Sequence, residues 1–251
     1  MFKNLIKSVA LITLFQFVCS CNSNIKKDVP QSTEEVKEQS HVNNHVMTRA
    51  AQDSLTPKQV LQQFKEGNAR FNSGNVTKRQ HSEAIRKIAT GGQFPKAMVL
   101  SCLDSRVPVE DVFDQGIGDV FVGRVAGNFV NTDLLGSMEF ACKVAGAKLI
   151  LVMGHQHCGA VKGAIDNVQL GNITAMLANI KPAVAMSQIF EGEKTSKNEA
   201  FVKLVAQNNI KNTIANIRSK SSILKDMEAK GQIKIVGAFY TLQTGKLEFI
   251  N

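Results

Sequence analysis

Two stretches of this chain are apolar without alternation, Ala97-Met98-Val99-Leu100 and Leu149-Ile150-Leu151-Val152-Met153, the second preceded by Lys148. Strands buried on both faces read this way, so the pattern predicts a parallel sheet covered by helices. Val120-Phe121-Val122 and Ile233 to Tyr240 are two further strands. Leu247 to Ile250, after the turn signal Thr244-Gly245, reads as an antiparallel edge strand. Helical spacing fills the gaps. Thr56-Pro57 opens a helix through residue 72, with threonine as N-cap and proline in the first turn. Further helices are predicted over 82–91, from Pro108 to about Gly116, and from a cap at Asp133 to Ala145. Beyond Cys158 they run over 160–167, 173–190, 198–219 and 221–230. Alternating strands and helices make an α/β fold, a mostly parallel central sheet flanked by helices with right-handed crossovers.

The first fifty residues do not fit that pattern. Lys3 and Lys7 precede a short apolar core from Val9 to Val18, and Ser20-Cys21 follows. This is the plan of a signal peptide over 1–20, too short for a spanning helix. Val18-Cys19-Ser20-Cys21 resembles the lipobox of bacterial lipoproteins, which implies lipidation of Cys21. Ordinary cleavage at a small residue is the alternative. Residues 21–52 are polar and read as a flexible tether, with the folded domain over 53–251. His41 and His45 lie in that tether, four apart, and are given no role. The expectation is an exported protein at the periplasm or cell surface. Its only membrane contact is an N-terminal lipid on a bacterial membrane.

Composition narrows the function. The net charge is +9, and from Cys21 onward 28 basic residues face 21 acidic ones. The basic residues are scattered, so a solvated basic surface is favoured and no nucleic-acid partner is expected. Tryptophan is absent and tyrosine occurs once, which removes aromatic recognition platforms.

The chemistry gathers just past two strand ends, where ligands of open α/β sheets sit. One cluster is Ser101-Cys102-Leu103-Asp104-Ser105-Arg106, the other Gly154-His155-Gln156-His157-Cys158-Gly159. Cys102, His155 and Cys158 are zinc-type donors, and three protein ligands leave a catalytic zinc one open position. Cys142 sits mid-helix among apolar residues and reads as a core thiol. Water in the open position would have its pKa lowered from 15.7 to about 7. Arg106 can hold Asp104 in a bidentate fork, keeping it off the metal and free to orient a nucleophile.

Taken together, Cys102-Leu103-Asp104-Ser105-Arg106 and His155-Gln156-His157-Cys158-Gly159 resemble the β-class carbonic anhydrases. The resemblance runs from about Leu55 to the C-terminus and includes Gln93-x-Pro95, Phe121 and Arg124-x-Ala126-Gly127-Asn128. It implies one zinc per chain on Cys102, His155 and Cys158, with Asp104 and Arg106 as the catalytic dyad. It implies reversible hydration of carbon dioxide to bicarbonate and a proton. Gln93, Phe121, Ala126 and Gly159 are the implied substrate-binding residues. The pocket is completed in a homodimer or higher even oligomer. Phe140 stands where many members carry a tyrosine.

Other readings use the same residues. Carbonyl sulfide or carbon disulfide are linear substrates for the same scaffold, and a non-catalytic zinc or bicarbonate binder is a third reading. A disulfide between Cys102 and Cys158 suits an oxidising compartment. A phosphatase loop needs five residues between cysteine and arginine, whereas three separate Cys102 from Arg106. His157 is either a proton shuttle or a loop residue.

Overall fold

The computed structural model describes residues 42–43, 46–79 and 81–250. Residues 1–20, the expected signal peptide, together with Cys21, His41 and His45, lie outside the described residues. In chain order, β1 (Val42–Asn43) pairs with β2 (Lys78–Arg79), and α1 (Arg49–Asp53), α2 (Pro57–Asn72) and α3 (Glu83–Ala89) precede the main sheet. Then come β3 (Ala97–Ser101), α4 (Val109–Val112), β4 (Val120–Arg124) and α5 (Thr132–Glu139), which runs into a π-helical turn at Phe140–Val144. β5 (Leu149–His155), α6 (Gly159–Ile165), α7 (Gly171–Ala178) and α8 (Lys181–Met186) follow. The long α9 (Glu199–Lys220), α10 (Ser222–Ala229), β6 (Lys234–Tyr240) and β7 (Leu247–Ile250) complete the chain.

The main sheet has strand order β4-β3-β5-β6-β7, parallel throughout except for antiparallel β7 at one edge. Every residue of β3 and β5 is buried, as their unbroken apolar runs predict. Alternate side chains feed two cores. Met98, Leu100, Ile150 and Val152 pack toward α9 and α10, while Val99, Leu149, Leu151 and Met153 pack toward Phe64 of α2 and Phe113. The chain leaves β3 for one edge strand, β4, then returns to β5 on the other side of β3. The switch point therefore lies between the carboxyl ends of β3 and β5.

Local chemistry explains most boundaries. Thr56 and Gln59 form a reciprocal capping box at the start of α2. Three expectations change. The cap of α5 is Asn131, whose side chain accepts from Leu134 N at 3.0 Å, and not Asp133. The helix expected over 173–190 is two, broken at Asn179-Ile180, with Pro182 in the first turn of α8. The described end of the predicted tether is also ordered. Thr48 caps α1, and the buried Gln52 donates to Pro95 O at 2.7 Å and Ala145 O at 2.8 Å. Two backbone carbonyls that need donors outweigh the polar composition of this stretch. Among the described residues no helix is long and apolar enough to cross a membrane.

Candidate metal centre

Cys102 follows the last residue of β3, His155 is the last residue of β5, and Cys158 is the N-cap of α6. All three are buried, with at most 5% of each exposed. Their donor atoms lie within 4.8 Å of one another. The two sulfurs are 3.9 Å apart and both thiols are free, so the disulfide reading fails here.

Each donor is oriented by its surroundings. His155 Nδ1 lies 2.9 Å from Gln156 O, which holds the ring and turns Nε2 toward the sulfurs. Nε2 is buried and has no hydrogen-bond partner among the described residues. Gly127 N donates to Cys102 Sγ at 3.3 Å. The two thiols share a hydrogen bond that favours the thiolate at Cys102 and so lowers that group, with Gly127 N–H acting in the same direction. The same bond raises Cys158. Two sulfurs and an orphaned imidazole nitrogen, converging and buried, fit a tetrahedral N/S cation.

Beside this group, Asp104 is pinned. Arg106 donates from its backbone N and from Nε to Oδ1, each at 2.9 Å, and from Nη2 to Oδ2 at 2.7 Å. Oδ2 lies 3.8 Å from His155 Nε2. The Arg106 hydrogen bonds hold the Asp104 carboxyl down at about 2, against burial that opposes ionisation. The carboxylate thus faces the donor group while its oxygens are engaged elsewhere. Arg124 braces the loop from behind, donating to Cys102 O at 3.0 Å and Val107 O at 2.6 Å.

The Carbonic anhydrase family model matches residues 97–247. Carbonic anhydrase 2 of Mycobacterium tuberculosis is 33% identical over 198 residues, which covers 77% of this chain and 92% of that one. The chain belongs to the carbonic anhydrase family. A carbonic anhydrase of Mycolicibacterium smegmatis is also 33% identical, over 74% of this chain and 89% of its own. A tetrameric β-carbonic anhydrase of Sordaria macrospora shares the fold, with a TM-score of 0.59 at 23% identity, over 66% of this chain and 85% of that one. The family's reaction is the hydration of carbon dioxide, and this chain is an enzyme of that kind. β-Carbonic anhydrases use zinc, and Cys102, His155 and Cys158 are the group here that would hold it.

The other predicted site residues divide. Ala126 is half-buried in the turn that carries Gly127, and Gly159 is the exposed first residue of α6, next to Cys158. Gln93 and Phe121 are not brought to the metal group within one chain. Gln93 is exposed before the start of β3, whereas Cys102 follows its end, roughly 15 Å along the strand. Phe121 packs edge-on to Phe140, ring centroids 6.2 Å apart, and lines a separate groove with Met98, Gly123 and Leu134. His157, in left-handed conformation, has Nδ1 3.7 Å from the exposed Glu199. Gly127 N–H and the Arg124 brace carry no role in the sequence reading. The Arg124-x-Ala126-Gly127-Asn128 pattern was their only signal.

Proposed function

We propose that this chain hydrates carbon dioxide reversibly with a zinc ion held by Cys102, His155 and Cys158, and that Asp104, locked by Arg106, orients the attacking water. One observation carries the reading: a carboxylate fixed by three hydrogen bonds, with Oδ2 3.8 Å from the orphaned His155 Nε2. When bound, zinc acidifies a coordinated water. The remaining work falls to the protein. Arg106 holds Asp104 away from the ligand set, so three donors serve the metal and not four. Asp104 Oδ2, ionised at every working pH, accepts a hydrogen bond from the water and sets its direction of attack. The buried cluster on the sheet's carboxyl end excludes bulk solvent behind the donors.

The substrate side of the site is completed by a second copy of the chain. Gln93 and Phe121 cannot reach the donors of their own chain. The groove beside Phe121 is apolar and edged by Phe140, 47% exposed. An even oligomer would bring such a surface against a partner's metal centre, and the Sordaria macrospora enzyme is tetrameric. Export and a lipid on Cys21 belong to the same proposal and rest on the leader pattern alone.

Stopped-flow carbon dioxide hydration and metal analysis on one sample test this reading. The expected result is about one zinc per chain, with activity lost on chelation and restored by zinc. Full activity in metal-free protein would overturn it. Turnover of carbonyl sulfide in the same preparation, if it exceeded that of carbon dioxide, would transfer the assignment to that substrate.

A further inference from the structure

The buried stripe of α9 carries two polar residues one turn apart, Asn209 and Thr213, both fully buried. Their neighbours on the stripe, Val205, Ala206, Ile210, Ile214 and Ile217, are apolar. A buried amide in such a stripe is destabilising unless its groups find partners. Asn209 finds one only in part. Nδ2 donates to Gly127 O at 2.7 Å, while Oδ1 has no partner among the described residues. Thr213 Oγ1 donates to Asn128 O at 3.3 Å. Both bonds end on the same turn after β4.

That turn reaches the metal centre. Gly127 N donates to Cys102 Sγ at 3.3 Å. Gly127 has φ +87, and a Cβ there would lie 2.4 Å from Ile180 Cδ1, so the turn is held in a conformation and a space that only glycine fits. α9 is itself seated tightly on the sheet. A Cβ at Gly154 would lie 2.8 Å from Ile210 Cδ1, and one at Gly237 would lie 2.5 Å from Ile210 Cγ2. Gly154 immediately precedes His155. The helix that presents Asn209 is thus locked against the strand that presents His155.

We propose that Asn209, supported by Thr213, is a positioning residue for the metal centre. It holds the Gly127 carbonyl and with it the backbone of that turn, so that the Gly127 N–H, in the preceding peptide unit, stays on Cys102 Sγ and fixes that sulfur among the three donors. This rests on the zinc reading above and adds a determinant of metal retention remote from the ligands in sequence. Outer hydrogen bonds of this kind typically alter metal affinity or activity by about 10–100-fold when removed.

The test uses the full chain, stripped of metal under reductant, with Zn2+ competed against a chelator and Co2+ as a visible probe of the thiolates. Asn209→Leu, which keeps the bulk and removes the amide, is expected to weaken Zn2+ binding about 10-fold or more. It should also shift the sulfur-to-cobalt charge-transfer band. Thr213→Val should show a smaller change in the same direction. Ile217→Ala, a buried position on the same helix, controls for general loosening and should leave both readouts at the parent's values. Should Asn209→Leu not fold, Asn209→Ala is read the same way. Parent-like affinity and spectrum in the Asn209 variant, or an equal loss in Ile217→Ala, would overturn the proposal. Failure of the parent to bind either ion would instead overturn the zinc reading beneath it.

Discussion

Two aspartate–arginine pairs in this molecule share their chemistry and differ in use. Asp114 has a fully buried side chain, and it accepts from Arg70 Nε at 2.6 Å, Thr77 N at 3.0 Å and Thr77 Oγ1 at 2.7 Å. Its partners come from α2 and from the segment after it, so the carboxylate ties these to the turn after α4. Among the described residues the hydrogen bonds to the Asp104 side chain come from Arg106, two positions along the chain, and 14% of that side chain stays open. None of these bonds joins a distant element. A carboxylate that joins elements is structural. The one held locally, with an oxygen 3.8 Å from an orphaned nitrogen, is the one proposed to serve what binds there.

The largest effect that bears on this contrast comes from the group Asp104 faces. Cys102→Ser exchanges a soft thiolate for a hydroxyl, and metal analysis is expected to find zinc lost and hydration activity with it. Retention of one zinc per chain would put the donor set in doubt. Next is Asp104→Ala, expected to keep zinc and the parent's melting temperature within a few degrees while losing about 100-fold or more in hydration rate. Parent-like turnover would erase the distinction between the two pairs.

Asp114→Ala should behave in the opposite way. Denaturant unfolding is expected to show a loss of roughly 3 kcal/mol, because charge-assisted bonds to Arg70 and Thr77 go together. The rate per folded molecule should be unchanged. A fall in rate without a fall in stability would make Asp114 functional.

The smallest effect is in acid. Arg106 holds the Asp104 carboxyl down at about 2, below its ordinary 3.8. A depressed acid stabilises the fold above the unfolded value, and that contribution disappears as pH falls through the folded one. In metal-free protein the stability gap between parent and Asp104→Asn should be constant above about pH 5 and close between about pH 5 and 1. A gap undiminished at about pH 1 would mean that the pair is not the cause.

Much of the site was legible because it is local. Cys102, Asp104 and Arg106 lie within five residues of one another, and His155 and Cys158 within four. The Asp104–Arg106 bonds span two residues, so a short motif suffices to predict them. The tether boundary was not legible, because Gln52 is ordered by carbonyls 43 and 93 residues away. The split between α7 and α8 and the π-helical turn at Phe140–Val144 were hidden for a related reason. Apolar periodicity reports a buried face and not which carbonyl each N–H selects. Asn209 was visible only as a polar residue in an apolar stripe, and its partner lies 82 residues away.

By itself, then, the sequence determined the kinds of element, the strand-end position of every metal donor, and a donor chemistry suited to zinc. Those follow from residue identity and short-range backbone preference. The tertiary structure alone decided that β3 and β5 are neighbours, which brings Cys102 Sγ and Cys158 Sγ to 3.9 Å. It also decided that His155 offers Nε2, and that Gln93, expected to bind substrate, lies at the other end of β3 from Cys102. Strand order and ring orientation are set by packing across the whole core, and no local pattern encodes them.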